Sequence, residues 1–425
     1  MSQTTLTRSD ARDSAVLPPV KWRGPGFMAV FTLVSLLGFA LFTESGTTTF
    51  RTATGGELAE IPNTEVPTVP ALWVLTLVMA AVTGYSAYRA SRRQPLGWWP
   101  PALFGAAFVF AFLTWQGSGG TIPLTSLLTG ALALSVPLIF GSLSGVMCER
   151  SGVINIAIEG QLLGGAFLAA VVASVTASPY LGVLAAPVAG ALVGLLLVFF
   201  SVKYWVDQII VGVVLNVLVL GLTSFFFSTV LSENPDLNER QGLPSLPVPL
   251  LSDIPVIGPV LFDQNILVYL MYAAVIALQL FLFRSRWGLR VRAVGEHPKA
   301  ADTVGIDVIR TRWITPILGG ALAGLGGAFF TVGSGLAFGR DMSAGNGFIA
   351  LAAMILGRWN PLGALAAALL FGFSRALANM LSAMGGSGIP GEFLLMLPYV
   401  VTIFAVAGFV GRVRAPAAEN TPYVK

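Results

Sequence analysis

The amino-acid sequence predicts an all-α polytopic membrane protein with about twelve transmembrane or half-spanning helices. Apolar residues make up 55% of the 425 residues, charged residues only 10%, and the mean hydropathy is +0.80. Because soluble domains carry about 25% charged residues, most of this chain must lie in lipid. The apolar residues also form repeated runs close to the roughly 20 residues that one crossing needs.

The apolar runs define the predicted helices in chain order. Ten of them are single runs, at residues 26–42, 71–88, 98–115, 126–146, 156–174, 182–202, 209–230, 266–283, 314–332 and 393–410. A longer run at 347–381 is interrupted by GRWNP (Gly357–Pro361), so it predicts two segments, the first too short for a full crossing. Glycines are dense in GGALAGLGGAFF (Gly319–Phe330), which predicts close helix packing and permits broken helices.

Basic residues predict the orientation of these helices. The first 25 residues are polar and do not resemble a cleavable signal peptide, so we expect a cytoplasmic N-terminal tail at residues 1–25. All but four of the 24 Lys and Arg residues then fall on the cytoplasmic side, the exceptions being Arg51, Arg240, Arg340 and Arg375. This asymmetry follows the positive-inside rule and predicts a second cytoplasmic tail at residues 412–425.

Several kinds of chemistry are excluded by residue content. Cys148 is the single cysteine and His297 the single histidine, so no internal disulfide and no soft-ligand metal site are expected. None of the four lysines precedes Ser or Thr, so the chain has no Walker A phosphate loop. If ATP powers this protein, another subunit binds it. We expect no cofactor and no nucleic-acid partner.

The most charged segment between two apolar runs is Arg284–Trp313, which holds seven of the 24 Lys and Arg residues. Within it, GEHPKAADTVGI predicts a short helix with Pro298 in the first turn, Lys299–Thr303 as its body and Gly305 as its stop. A short exposed helix between two spans can bind a cytosolic protein. The alternative is that the positive charge only sets orientation.

A second group of polar residues lies within CERSGVINIAIEGQ (Cys148–Gln161). An ionisable residue inside an apolar helix, such as Glu159, is costly and indicates a functional site. Asn155 and Glu159 are four residues apart, so a regular helix would place them on one face. Gly160 predicts a local break. The alternative is a hydrogen bond between helices that only fixes their packing.

Other polar residues have simpler predicted roles. Asp207 lies near the cytoplasmic surface, where it suits the start of a helix. Arg340 and Asp341 are expected to pair near the outer mouth, and Arg375 needs a partner, for which Glu392 is a candidate.

The outer loop Leu231–Asn265 contains many prolines, which predict a stiff loop folded over the outer surface. It could cover a pathway, bind a partner or act as a stable connector.

Linked motifs in this chain resemble a known family. ERSGVINIAIEGQ, DQIIVGVVLNVLVLGLTSF, IPVIGPVLF, GLRVRAVGEHPKAADTVGI and GFIALAAMILGRWNPLGALAAALLFGF occur in that order. Together they resemble the permease subunits of ABC importers of the ribose and branched-chain amino-acid class, and more narrowly the nucleoside uptake permeases that work with a Bmp-type lipoprotein. The resemblance covers about Thr121–Gly411. It implies a type II-like permease core with broken helices at 121–411 and leaves residues 26–120, with three predicted helices, as an N-terminal extension.

The resemblance also implies partners and a coupling site. The loop 284–313 would carry the coupling helix that docks on a cytoplasmic ABC ATPase. The implied coupling residues are Gly295, Glu296, His297, Pro298, Lys299, Ala300, Ala301, Asp302, Gly305 and Ile306. His297 stands where the family often has Asn. A second permease subunit in a heterodimer, an external substrate-binding lipoprotein and a small-molecule substrate are implied as well, with ATP hydrolysis on a partner and no catalysis by this chain.

The predicted function is import of nucleosides, or of a sugar, across the cytoplasmic (inner) membrane by alternating access. The candidate translocation residues are Asn155, Glu159, Gln161, Asn216, Phe329 and Asn346. Phenylalanines at 225–227 and 329–330 are candidates because bases stack on aromatic faces. The alternative is a secondary transporter driven by an ion gradient through Glu159, although intramembrane carboxylates are scarce for that task. An intramembrane hydrolase lacks the His or paired acids it would need.

Overall fold

The structure is a computed structural model that describes residues 22–52, 62–384, 396 and 414–424. Thirteen α-helices are found in these residues: α1 (Arg23–Val34), α2 (Thr68–Ser91), α3 (Trp99–Gln116), α4 (Leu124–Glu149), α5 (Ile158–Thr176), α6 (Pro179–Val198), α7 (Gln208–Phe226), α8 (Ile266–Arg284), α9 (Arg286–Glu296), α10 (Pro298–Thr303), α11 (Val308–Gly327), α12 (Asn346–Leu356) and α13 (Pro361–Met384). The strands are short: β1 (Thr47–Arg51), β2 (Thr64–Pro67), β3 (Thr121–Pro123), β4 (Ser245–Pro247) and β5 (Asp263–Asn265).

The helices confirm an all-α polytopic membrane protein. Nine of the helices in the described ranges are long and apolar enough to cross a membrane, and α12 is a shorter apolar helix of 11 residues. The predicted interruption at GRWNP is confirmed, because α12 ends at Leu356 and α13 begins at Pro361. The predicted helix at 393–410 lies outside the described residues.

Contacts divide the chain into two units. The first comprises residues up to Phe50 and from Thr64 to Ile122, and the second comprises Arg51–Asn63 and the residues from Pro123 onward. In the first unit α1, α2 and α3 share a core that includes Met28, Met79 and Phe104. Strands in the order β2-β1-β3 close one end of this unit, with β1 antiparallel to β2.

The second unit is built around α4. The apolar part of this helix is 89% buried, far more than in the other candidate spans. Its residues, including Phe140, join side chains of α8, α12 and α13, such as Met271, Met354 and Phe371, in the largest core cluster. A helix enclosed by protein on nearly all sides must be apolar all round, as α4 is.

Small residues bring α5, α6 and α11 together. A Cβ atom on Gly190 of α6 would lie 2.0 Å from the carbonyl oxygen of Gly320, and one on Gly165 of α5 would lie 2.2 Å from that of Gly324. Only glycine allows backbones to approach this closely. The close packing predicted for the glycine-rich run is therefore confirmed.

The proline-rich loop between α7 and α8 is folded, as predicted. Its strand β4 pairs antiparallel with β5, with Leu246 opposite Gln264. The amide of Leu243 donates a hydrogen bond to the carbonyl of Val332 at 2.8 Å. The loop is therefore fixed in its middle and at the end that precedes α8.

Candidate functional site

The predicted coupling helix is present with the predicted boundaries. The Oγ atom of Ser285 accepts a hydrogen bond from the amide of Gly288 at 2.9 Å and starts α9. The second helix, α10, begins at Pro298 and ends at Thr303, and Gly305 follows with a φ of +82°. A left-handed φ favours glycine, so Gly305 stops the helix for the expected reason.

The α9–α10 pair has one buried face and one exposed face. Val294, Ala301 and Val308 form a small buried cluster beneath it, with Ile306 packed against them. On the other side Glu296, His297, Lys299 and Ala300 are exposed, and Val304 is 75% exposed. The α9–α10 pair therefore presents an outer surface on which charged, polar and apolar side chains are all exposed.

A cavity of about 550 Å³ opens beside this exposed face. It is lined by Asp302, Gly305, Ile306, Asp307, Val308, Ile309, Arg310 and Tyr423. Asp307 at its wall also starts α11, because its side chain accepts a hydrogen bond from the amide of Arg310 at 2.9 Å. A recess next to an exposed short helix can accept a side chain of a docked protein.

Arg150 joins the end of α9 to the membrane helices. Its Nε atom donates a hydrogen bond to the carbonyl of Trp359 at 2.8 Å, and its guanidinium lies 5.6 Å from the ring centre of Phe283. Burial lowers the pKa of Arg150, and the charge of Glu296 opposes this effect. A Cβ atom on Gly295 would lie 2.3 Å from the carbonyl oxygen of Arg150, so the two segments touch backbone to backbone.

The α4–α5 connection, residues 150–157, is not helical and carries a buried amide network. The Nδ2 atom of Asn155 donates to the Oγ of Ser144 and to the Oε1 of Gln161, both at 3.0 Å. All three side chains are fully buried. The expectation that Asn155 and Glu159 share a helical face is wrong, because α5 begins only at Ile158 and Asn155 pairs with Gln161 instead.

Asn216 of α7 holds the start of α5 in place. Its Oδ1 accepts a hydrogen bond from the amide of Gly160 at 2.8 Å, and its Nδ2 donates to the carbonyl of Ile156 at 2.8 Å. The predicted break at Gly160 is wrong, since the helix runs through this residue and the irregular backbone precedes Ile158. Gly160 instead permits the close approach of α7, where a Cβ atom would lie 3.2 Å from the Oδ1 of Asn216.

Glu159 binds the beginning of the half-length helix α12. Its Oε1 accepts a hydrogen bond from the amide of Gly345 at 2.8 Å and its Oε2 one from the amide of Gly347 at 2.6 Å. Free amides and the helix dipole make a helix N-terminus favourable for a carboxylate. Asn346, at the same helix start, accepts a hydrogen bond from the guanidinium of Arg375 on α13. The cluster of Glu159, Asn346 and Arg375 thus joins three helices.

The structure gives hydrogen-bond partners for the two arginines predicted to need one. Arg340 does not pair with Asp341 but donates a hydrogen bond to the Oγ of Ser228 at 2.6 Å and lies over the ring of Phe227 at 5.5 Å. For Arg375 the described partner is Asn346, and Glu392 lies outside the described residues. For Arg340, a hydroxyl group brought close by tertiary packing takes the place of the neighbouring carboxylate.

Asp207 and the phenylalanines have simpler positions. Asp207 caps α7 as predicted, accepting hydrogen bonds from the amides of Ile209 and Ile210 at 2.9 and 3.1 Å. Hydrogen bonds from Asn420 and from these amides lower the pKa of Asp207.

Phe329 is half-buried between two core clusters, whereas Phe225 and Phe226 are exposed. The part of the chain that the structure describes has no group of three or more His, Cys, Asp or Glu residues that could hold a metal ion.

The sequence analysis missed one residue of the coupling region. Arg312 was counted only as one of the basic residues of the loop, yet it is 2% exposed and is the largest fully buried side chain among the described residues. Its neighbours are residues of the C-terminal segment, more than 100 positions away. No local signal in the sequence marks it, because any arginine near a membrane surface fits the positive-inside rule.

One family match covers both the α9–α10 pair and the polar residues around the start of α5. The family described as "Branched-chain amino acid transport system / permease component" matches residues 127–406, which include the α9–α10 pair and the start of α5. The chain belongs to this family. Its membership makes it an ABC transporter permease, a multi-pass membrane protein that acts with other ABC transporter subunits. No solved structure matches the chain.

Individual relatives are similar over most of the chain. The Guanosine ABC transporter permease protein NupQ of Bacillus subtilis (strain 168) is 39% identical over 71% of this chain and 97% of its own length. The Nucleoside ABC transporter permease protein NupC of Lactococcus lactis subsp. cremoris (strain MG1363) is 40% identical over 71% of this chain and 98% of its own length. The Guanosine ABC transporter permease protein NupP of Bacillus subtilis is 28% identical over 65% of this chain and 80% of its own length.

Proposed function

We propose that this chain is a transmembrane permease subunit of an ABC importer that carries nucleosides across the cytoplasmic membrane by alternating access. The observation that carries the proposal is the exposed α10 helix on its buried apolar base, within a chain similar to nucleoside permeases. The charge asymmetry supports an orientation with both termini in the cytosol, so that α10 faces the same compartment as ATP.

The exposed face of the α9–α10 pair docks a separate ABC ATPase, and this chain does not hydrolyse ATP itself. The exposed Lys299 and Val304 give this face one charge and one apolar contact, and the adjacent cavity accepts a side chain from the ATPase. Interfaces of this kind depend on a few central residues. Movement of the ATPase dimer then displaces α10 and, through Arg150, the cytoplasmic ends of the membrane helices.

The translocation path runs along the irregular start of α5. Asn155, Gln161 and Asn216 place amide groups there, and Glu159 with Asn346 fixes the neighbouring half-helix α12. Irregular backbone beside polar side chains is what transporters use at their substrate sites. A nucleoside offers hydrogen-bonding groups to the amides and a flat base to Phe329.

The partners follow from the relatives. NupQ and NupP of one organism are both named guanosine ABC transporter permease proteins, and both are similar to this chain. We therefore propose a second, related permease subunit in a heterodimer and an external substrate-binding lipoprotein. Residues 26–120 form an N-terminal extension of the permease core at 121–411, which fits the start of the family match at residue 127.

The test is purification of the tagged chain with its partners from native membranes, followed by transport in proteoliposomes. The combined variant Lys299→Glu and Val304→Asp should lose the ATPase by about tenfold or more, as expected for central interface residues. The control is Glu233→Ala, an exposed change on the proline-rich loop that should retain it.

The wild-type preparation should transport a radiolabelled nucleoside only with ATP. Transport driven by a sodium or proton gradient without ATP would refute the proposal in favour of a secondary transporter. Retention of the ATPase by the Lys299→Glu and Val304→Asp variant would refute the assigned docking face.

A further inference from the structure

The C-terminal segment, residues 414–424, folds back onto the α9–α10 pair. The amide of Ala418 donates a hydrogen bond to the carbonyl of Gly295 at 2.9 Å, and the amide of Ala417 donates to the Oε2 of Glu296 at 3.4 Å. Tyr423 packs against the buried cluster that supports α10 and lines the cavity beside it. A charged tail with no role would extend into water, whereas Pro416 and Ala418 are buried.

Arg312 of α11 is held by the same segment. Its Nη1 atom donates a hydrogen bond to the carbonyl of Thr421 at 2.7 Å, and its Nη2 donates to the carbonyl of Ala418 at 3.3 Å. The buried Nε has no hydrogen-bond partner among the described residues. A buried cation is costly unless it is hydrogen-bonded. The segment therefore supplies the acceptors that allow this guanidinium to remain buried.

Two further contacts tie the segment to the membrane helices. The Nδ2 atom of Asn420 donates a hydrogen bond to the Oδ2 of Asp207, the residue that caps α7, at 3.1 Å. Glu419 lies beside Glu149 at the end of α4. The indole Nε1 of Trp359 donates to the Oε2 of the same Glu149 at 2.5 Å. The segment thus touches the cytoplasmic ends of α4, α7 and α11 as well as α9.

We propose that the C-terminal segment is a positioning element of the coupling machinery. It fixes the α9–α10 pair relative to α4, α7 and α11, so that a displacement of α10 moves these helices together. Arg312 is the positioning residue that links α11 to the segment. This inference rests on the proposed function, because a positioned coupling helix matters only if an ATPase displaces it.

The primary experiment uses a variant that ends at Arg414, in the transporter purified with all its partners. Hydrogen–deuterium exchange of residues 286–306 should be faster than in the full chain, because the amide that donates to the carbonyl of Gly295 and the side chain of Tyr423 that packs beneath α10 are present only with the segment. Uptake of nucleoside per ATP hydrolysed should fall by about 5-fold to 150-fold, the usual range for coupling between sites. The ATPase should be retained far better than by the Lys299→Glu and Val304→Asp variant, since those two residues stay in place and only Tyr423 is lost from the wall of the adjacent cavity.

Point variants separate positioning from general stability. Arg312→Lys keeps the charge but cannot reach two carbonyl groups at once, so uptake per ATP should lie between the truncated and full chains. Asn420→Ala should have a smaller effect of the same sign. The matched control is Thr421→Val, because only the backbone carbonyl of Thr421 serves Arg312 and the substitution preserves it.

The outcomes distinguish this inference from the function on which it rests. If the full chain shows no ATP-driven uptake, the proposed function fails. Hydrogen–deuterium exchange of residues 286–306 would still test whether the C-terminal segment positions the α9–α10 pair. If the truncated variant exchanges and transports like the full chain, positioning is refuted. Loss of the ATPase with unchanged exchange would also refute it, since the segment would then be a docking contact.

Discussion

Two short helices, α10 and α12, are held in the protein by opposite means. The six-residue α10 rests on Val294 and Ala301, exposes its outer face and is ended by a glycine. The eleven-residue α12 packs against α4, α5 and α13, and its first amides are bound by the carboxylate of Glu159. Near water, the free amides of a helix end can be solvated, whereas inside a bundle they need a protein acceptor. The difference shows why a carboxylate is tolerated among apolar helices here.

The largest expected effect comes from removing the carboxylate that accepts hydrogen bonds from the amides at the start of α12. Glu159→Ala leaves the amides of Gly345 and Gly347 without partners inside the bundle, which should cost about 2 to 5 kcal/mol in the free energy of unfolding. Thermal unfolding of the purified protein would measure it, with Glu159→Gln as the conservative control that keeps one acceptor. Unchanged stability together with lost transport would contradict this role and would indicate that Glu159 acts on the substrate.

A smaller effect is expected at the other side of the same helix start. Asn346→Ala removes the hydrogen-bond acceptor of Arg375 and should lower the free energy of unfolding by about 1 to 3 kcal/mol, because the guanidinium is left partly buried without this partner. The same unfolding measurement applies. Because Asn346 and Glu159 act on one helix terminus, the double variant should be less destabilised than the sum of the two single variants. Full additivity would argue against one connected cluster.

The corresponding change at α10 should be milder. Gly305→Ala places a Cβ on a residue with a φ of +82°, which should cost about 1 kcal/mol. Since α10 faces water, the cost should appear as faster hydrogen–deuterium exchange of residues 298–305 rather than as a lower global stability. Val304→Ala, next to it and 75% exposed, is the control and should leave the exchange unchanged. Global destabilisation by Gly305→Ala would show that α10 is part of the core.

The smallest expected effect is a pH dependence of the C-terminal segment. Burial raises the pKa of Glu419 above its ordinary value of 4.5, so its contribution to binding the segment is fully present below that pH and is lost as pH rises through the raised pKa. The groups that face it are Glu149 and, through Glu149, Trp359. Exchange of residues 414–424, corrected for its intrinsic pH dependence, should increase as pH rises. Glu419→Gln should remove this dependence, and a dependence that persists would assign it to another group.

The short helix α10 could be predicted in detail because its signals are local. Pro298 fixes the first turn and Gly305 the stop, whatever surrounds them. The break at GRWNP was predictable for the same reason. The polar residues of α5 were identified as important, but their partners were not. Asn155 was expected beside Glu159 and lies with Gln161, since the helix begins after it.

By itself, the sequence determined the membrane class, the approximate helices, the short helix α10 and the family resemblance. These features depend on the length of the apolar runs, on the distribution of charge and on turn residues. All three can be read from positions that are close together in the chain. Only the tertiary structure decided that Glu159 meets Gly345, 186 positions away, and that Arg312 is buried by the C-terminal segment. Both depend on which distant segments come together, and no run of neighbouring residues encodes that.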